Sequence, residues 1–326
     1  MQAVVLSDFG GPECLSLDQV ADPQPRPDRT VVRLRAAALN WHDVLVRQGR
    51  YDSPLPHVPG ADGAGIELDS GAEVVILPSL WWGEREAAPG MRWQILGDRT
   101  PGTYAELVSV PTEAVFPKAP ALSWAQAAAL PLVGVTVFRA LVSRAGLRAG
   151  ESLLVTGAGG GVAPMAVSIA RALDALPFVT SSSDAKIARA VADGAIAGAS
   201  YLSESWPDDA RSLSPGGSGF DVVLDTVGSW QESLRALKPG GRLAVLGASH
   251  SEVAPIDVRP FYFGQYSILG TTMGSPADFA RLLDLMTARS VTPPRIDREF
   301  ALEDAASAHE YLESGAAFGK IILTID

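Results

Sequence analysis

A short run near the middle of the chain, Leu154-Val155-Thr156-Gly157-Ala158-Gly159-Gly160-Gly161-Val162-Ala163, combines residue types that can hold a phosphate. An apolar stretch of strand character leads into glycines, and these lead straight into an alanine-rich stretch of helical character. Glycine allows the tight turn and lets the backbone approach a pyrophosphate. The helix start then offers free N–H groups and a partial positive charge. The spacing Gly157, Gly160, Ala163 is a variant of the dinucleotide fingerprint, with alanine in a third place that accepts it. A glycine turn alone can be a plain connection. Here the flanking strand and helix agree with a βαβ unit, so dinucleotide binding is the reading.

The end of the next strand decides between cofactors. An NAD site usually carries Asp or Glu about 20 residues past the glycines, where it holds the ribose 2′-hydroxyl. This chain reads Thr180-Ser181-Ser182-Ser183, then Asp184-Ala185-Lys186. Hydroxyls with a nearby lysine suit a 2′-phosphate. NADPH is therefore expected ahead of NADH, against the plainer reading of Lys186 as a lysine on a solvated helix face.

The elements that must position these residues follow from the pattern. Strands are expected at 152–156, 176–180, 220–225 and 242–247, with a helix over about 161–173. That alternation builds a doubly wound parallel sheet. Before it, residues 1 to about 117 consist of short β-type runs (30–35, 65–68, 73–77) broken by Gly and Pro, the texture of a compact β-rich unit. The texture changes near Ser123, turns mixed after about 260 and ends in a strand over 320–324. The expected division is 1–120 with 261–326 for the β-rich domain and 121–260 for the nucleotide domain.

Composition bounds the partners. A chain of 326 residues is long for one core. With 47% hydrophobic and 19% charged residues it is globular. A net charge of −11 argues against nucleic acid and for a small-molecule substrate. The single cysteine, Cys14, excludes an internal disulfide, fits a reducing compartment and reads as an ordinary buried thiol. Gln2-Ala3-Val4-Val5-Leu6 opens as a strand with no signal-type leader, and no stretch is apolar enough to span a bilayer, so the expectation is cytoplasmic without a membrane partner.

Several further segments fall in a recognisable order: Asp8-Phe9-Gly10-Gly11-Pro12-Glu13, Asn40-Trp41-His42-Asp43, Gly49-Arg50-Tyr51, Pro59-Gly60-Ala61-Asp62-Gly63-Ala64-Gly65, Gly102-Thr103-Tyr104-Ala105-Glu106, Gly134-Val135-Thr136 and Gly319-Lys320-Ile321. In this order they resemble the medium-chain dehydrogenase/reductase superfamily, on its zinc-free quinone oxidoreductase-like side. The resemblance covers essentially the whole chain. It implies an α/β protein made of a GroES-like β-rich domain and a Rossmann doubly wound parallel-sheet domain.

The resemblance also locates the metal positions of relatives. Those that hold Cys, His and Cys correspond to Asn40, Ala61 and Leu132, and the four-cysteine lobe is replaced by residues 81–93 without one cysteine. Alanine and leucine offer no donor and a neutral Asn is a poor one, so no zinc is expected. His42, His57, His250 and His309 form no constellation by spacing. Of these, His42 reads as packed or at the surface and His57 as a loop residue. Trp81, Trp82 and Trp93 read as local packing ahead of a substrate wall.

Without a Lewis acid, acceptors that are already electrophilic, such as quinones and other conjugated carbonyls or alkenes, are favoured. Asn40 and Tyr51 match positions where relatives place polar groups beside the acceptor, while a tyrosine often found between them is Leu45 here. Asn40 and Tyr51 are thus the expected catalytic residues. The expected cofactor contacts are Thr136, Gly157, Gly160, Gly161, Val162, Ala163, Ser181, Ser182, Lys186, Thr226, Val227, Gly247, Ala248 and Lys320. Alternatives are an alcohol dehydrogenase or enoyl reductase of the same superfamily and, in another class, a low-turnover nucleotide-binding sensor or structural protein. Relatives pair through an edge strand, and Tyr266-Ser267-Ile268-Leu269-Gly270 suits such pairing, so a homodimer is expected.

Overall fold

The computed structural model describes residues 1–248 and 251–326, so His250 lies outside the described residues. The chain divides into two units: Met1–Val133 with Gly274–Phe279 and Pro293–Asp326, and Gly134–Met273 with Ala280–Thr292.

The first unit is built on the β-type runs of the N-terminal third. Its main sheet runs in the order Ile296–Ala301, Lys320–Thr324, Arg29–Ala38, Asp62–Glu67, Glu73–Ile76 and Val115–Pro117, and Leu107–Pro111 also pairs with Arg29–Ala38. Along Arg29–Ala38 the residues Thr30, Val32, Leu34 and Ala36 are buried in alternation. This period of two gives one face to a core that includes Leu34, Ile76, Tyr104, Ile321 and Leu323. A short helix, Trp41–Arg47, leaves the end of the longest strand through a capping box between Asn40 and Asp43.

The second unit is a parallel sheet whose order, among the described residues, is Gly198–Ser200, Leu176–Ser181, Ser152–Val155, Phe220–Asp225, Leu237–Val245, Ser267–Gly270. Ser152–Val155 is buried along its whole length rather than alternating, as a strand covered on both faces must be. The helix Val162–Ala172 follows it and buries Ala163, Met165, Ala166, Val167, Ile169 and Ala170. From Ser152–Val155 the chain builds outward to Gly198–Ser200, then returns to the other side at Phe220–Asp225. The strand order therefore reverses beside Ser152–Val155, where such sheets bind ligands.

Two boundaries differ from the sequence reading. Residues 121–133, expected in the nucleotide domain, belong to the first unit, because the helix Trp124–Ala129 packs on Arg29–Ala38 and Asp62–Glu67. Residues 261–273 and 280–292, expected in the β-rich domain, belong to the second. Ser267–Gly270 continues its sheet beside Leu237–Val245, and Thr292 exchanges hydrogen bonds with Ser168. No helix among the described residues is long and apolar enough to cross a membrane.

Candidate active site

In the second unit the glycine turn lies where the strand order reverses. Gly157 has φ 84°, a conformation costly for any residue with a Cβ. Its N–H donates to Thr180 Oγ1 at 3.3 Å, and Ala158 N–H donates to the Thr180 carbonyl at 2.8 Å. Thr180 thus anchors the turn to the neighbouring strand. Gly160 faces open space, Gly161 caps the helix, and Val162 begins it. Lys186 reaches back over the turn: a Cβ on Gly159 would lie 3.0 Å from its Nζ. Ser182 is exposed, whereas Ser181 is buried and accepts from the Ser183 N–H. The Ser183 hydroxyl in turn caps the helix Asp184–Ala192 by accepting from Lys186 N–H.

On the other side of the turn, Thr226 clips the two central strands together. Its hydroxyl donates to the Thr156 carbonyl at 2.6 Å, and its N–H donates to Thr156 Oγ1 at 3.0 Å. Val227 follows it, with its N–H held by Asp225 Oδ1. Asp225 is fully buried and also accepts from Gly228 N–H, Ser229 Oγ and Ser233 Oγ. Gly247 passes so close to the Thr226 carbonyl that a side chain there would collide with it, and Ala248 next to it is exposed. Thr136 is buried, and its hydroxyl donates to the Met273 thioether at 3.8 Å. Open glycines at a helix start, flanked by a lysine and exposed polar residues at the strand ends, fit a dinucleotide phosphate.

The first unit concentrates its polar side chains where the long strand ends. Lys320 Nζ donates to Asn40 Oδ1 at 2.5 Å, to the Leu39 carbonyl at 2.8 Å and to Asp62 Oδ2 at 3.2 Å. Asn40 Nδ2 donates to the same Asp62 oxygen at 3.0 Å, and Leu132 N–H donates to Asp62 Oδ1 at 2.8 Å. Asp43 accepts from the N–H groups of Asn40 and Ala61 and from the Tyr104 hydroxyl, which also meets His309 Nε2 at 3.3 Å. Burial pushes Asp43 up to about 7 and also raises Asp62, against the pull of Lys320 and the hydrogen bonds each accepts. Burial lowers His309 to about 3.

Two expectations change here. Lys320 was assigned to the cofactor, but its ammonium is buried and spent on Asn40, Leu39 and Asp62. Asn40 was assigned a direct catalytic contact, yet both ends of its amide are engaged, with Lys320, Asp62 and the Ala38 carbonyl. Both side chains are engaged with other groups of the first unit. His309, thought to belong to no constellation, closes a buried line to Asp43 through Tyr104. No spacing signal could find it, because Asp43 and His309 come together only through the sheet; the buried Asp225 was signalled by an acid ending an apolar strand.

Tyr51 is half-buried in an irregular segment, and its ring meets His42 edge-on at 4.6 Å. Burial, with Asp98 nearby, raises its pKa above the usual phenol value. His57 is buried and pairs with the Gly97 carbonyl at 2.9 Å. Trp82 and Trp93 pack edge to face, and their N–H groups bond locally to the Arg85 carbonyl and Ser79, so local packing accounts for them.

The three positions compared with metal ligands present an engaged amide, a methyl group and an isobutyl group, with Ala61 and Leu132 contributing only backbone N–H donors. Such a donor set does not fit a metal cation. Among the described residues no three His, Cys, Asp or Glu side chains cluster as ligands.

Comparisons with known proteins agree with this architecture. A family described as an alcohol dehydrogenase GroES-like domain matches residues 26–120, and one described as a zinc-binding dehydrogenase matches residues 197–323. A quinone oxidoreductase of Rattus norvegicus is 31% identical over 100% of this chain and 98% of its own. A 2-methylene-furan-3-one reductase of Solanum lycopersicum is 30% identical over 99% of this chain and 79% of its own. Among solved structures, an NAD-dependent alcohol dehydrogenase superposes with a TM-score of 0.94 at 37% identity over 100% of both chains. A quinone oxidoreductase of Pseudomonas syringae superposes with a TM-score of 0.83 at 28% identity over 99% of both chains.

Proposed function

We propose a hydride-transferring reductase, from the premise that the chain belongs to the medium-chain dehydrogenase/reductase superfamily, in its quinone oxidoreductase-like branch. It is an oxidoreductase of that family. On our reading its cofactor is NADPH, and its acceptor is a quinone or another conjugated carbonyl or alkene. The observation that carries this reading is a glycine cradle in a chain whose metal-ligand positions are Asn40, Ala61 and Leu132. The NADPH preference is supported by Lys186 over the turn, by Ser182 at the exposed strand end and by the lack of an acid among residues 180–183.

When bound, the reduced nicotinamide supplies a hydride. Gly157 to Ala163 would hold its phosphates, and Thr136 would back the nicotinamide end. An enone or quinone needs no metal to polarise it, so orientation and one oxyanion donor suffice. Tyr51 serves as that donor. Its raised pKa keeps the phenol protonated at neutral pH, and solvent supplies the proton that completes the product. Asn40 holds the start of the helix Trp41–Arg47 rather than touching the acceptor.

The test is oxidation of NADPH and NADH by purified protein across quinones, enones and aldehydes, with and without a chelator. Turnover of quinones or enones that ignores the chelator is expected, with no stoichiometric zinc by elemental analysis. Zinc-independent alcohol oxidation without quinone or enone turnover would overturn the reaction class, and one zinc per chain lost together with activity would overturn the zinc-free reading. Tyr51→Phe should lower kcat by about 100-fold while cofactor affinity holds. A second reading, an NAD-dependent alcohol dehydrogenase, is favoured by the structural neighbour at a TM-score of 0.94. The same assay run backwards, with NAD and alcohols, separates the two.

A further inference from the structure

One polar group near Tyr51 has no part in the reading above. His42 is the second residue of the helix Trp41–Arg47, whose start is fixed by the Asn40–Asp43 capping box. Its Nε2 is buried and, among the described residues, has no hydrogen-bond partner. Buried ring nitrogens are nearly always paired, because burial removes the water that would otherwise serve them. The side chain packed on this imidazole is Tyr51, with ring planes at 68°. Tyr51 lies outside any helix or strand, and among the described residues no hydrogen bond holds its hydroxyl. A turn of the Tyr51 side chain therefore breaks no polar contact beside this imidazole. The next-door Trp41 is 47% exposed and offers an apolar ring surface on the same turn of helix.

Taking the reductase reading as given, we propose that His42 is a second hydrogen-bond donor for the acceptor, its Nε2–H and the Tyr51 hydroxyl sharing one carbonyl oxygen of a flat enone or quinone. When hydride adds to the β-carbon of an enone, the C=C π pair becomes a double bond between the α-carbon and the carbonyl carbon, and the carbonyl π pair moves onto oxygen, giving an enolate. That oxygen carries the new charge and accepts both hydrogen bonds. Water then protonates the α-carbon, and His42 ends the cycle with the proton it began with. Burial lowers His42 to about 4, which keeps the ring neutral at physiological pH. A neutral imidazole in the Nε2–H form donates without ionising. Two donors on one oxygen favour substrates whose reduction leaves charge on oxygen over simple alkenes that cannot place it there.

The test compares the full-length protein with His42→Phe and His42→Gln. The readouts are turnover of 2-cyclohexenone and 1,4-naphthoquinone with NADPH, NADPH affinity by fluorescence, and binding of 4-nitrophenolate, a flat oxyanion, by absorbance. We expect His42→Phe to lower kcat/KM for cyclohexenone by about 100-fold and to weaken 4-nitrophenolate at least about tenfold, with NADPH affinity unchanged. His42→Gln keeps an amide donor and should recover part of both; it also serves if the Phe variant does not fold. Wild-type turnover and probe affinity in His42→Phe would overturn the proposal, as would loss of NADPH affinity in step with activity in both variants. If the unaltered protein reduces no acceptor, the reductase reading fails on its own. The probe then judges His42 alone, and equal affinity in wild type and His42→Phe overturns it too.

Discussion

Lys320 and Asp62, 258 positions apart in the chain, form a buried ion pair at 3.2 Å, with side chains 5% and 0% exposed. Asn40 bridges them, accepting from Lys320 and donating to Asp62. The pair joins the start of the strand Lys320–Thr324 to the start of Asp62–Glu67, and Leu132 N–H donates to the same carboxylate. Hydrogen bonds and one internal cation thus link Asn40, Asp62, Leu132 and Lys320.

A buried pair contributes little over a well-packed apolar pair, but breaking it strands a charge. Lys320→Met should therefore destabilise the protein by roughly 3–5 kcal/mol, and Lys320→Met with Asp62→Leu should recover part of that loss. Urea unfolding of the three proteins gives the comparison. Equal midpoints for wild type and Lys320→Met would show that the ammonium does no structural work.

Lys186 crosses Gly159 close enough to meet a phosphate seated on the turn. Lys186→Glu should lower NADPH affinity at least about tenfold, or about 1.4 kcal/mol, and leave NADH within about a factor of two. Fluorescence titration with both cofactors reads this directly. Equal losses for the two cofactors, or tighter NADH binding in the unaltered protein, would count against the NADPH assignment.

The pH dependence of stability follows from the buried line Asp43–Tyr104–His309. Folded His309 titrates at about 3 rather than 6.5, so between those values the unfolded chain binds a proton that the folded chain refuses. Stability therefore falls as pH is lowered through about 6.5 to 3, by at most about 1.4 kcal/mol per pH unit from this group. Asp43 acts oppositely: its folded pKa of about 7 lies above 3.8, so its share of stability falls as pH rises between them. In His309→Phe, which leaves the Tyr104 hydroxyl its bond to Asp43, the acid limb should flatten relative to wild type. Midpoints measured from pH 4 to 8 check it; parallel curves would mean that His309 is not held neutral.

Much of this was legible in the sequence wherever one local stretch carries the information. Gly157 to Ala163 lies in one continuous run, and its turn, helix start and strand are all local consequences of glycine and alternating burial. The strand Phe220–Asp225 and the helix Val162–Ala172 fall within a residue or so of their expected limits. The engagement of Lys320 and His309 is not legible locally, because their partners, Asn40 and Tyr104, lie more than 200 positions away. A lysine at a strand start looks like a cofactor contact until the sheet places it under an aspartate. The limits of the units differ from the expected ones for a related reason: Ser267–Gly270 is a short strand of mixed texture, and only its pairing with Leu237–Val245 places it in the second unit.

Ser267–Gly270 also bears on assembly. It is the last strand of its sheet, paired on one side by Leu237–Val245, and Arg144 reaches the Gly270 carbonyl near its end. The helix just before it, Val258–Phe263, exposes Val258, Tyr262 and Phe263, while Phe261 turns inward against Tyr266. An open edge beside exposed apolar side chains is a surface that proteins normally cover. We propose that a second copy related by a twofold axis covers it with the same strand and the same helix. Light scattering at micromolar concentration should give about twice the 34.2 kDa chain mass. Ile268→Lys combined with Phe263→Glu should shift the protein to monomers while the parallel sheet and NADPH binding persist. A monomeric wild type would rule the homodimer out, and a dimer unaffected by both changes would place its interface elsewhere.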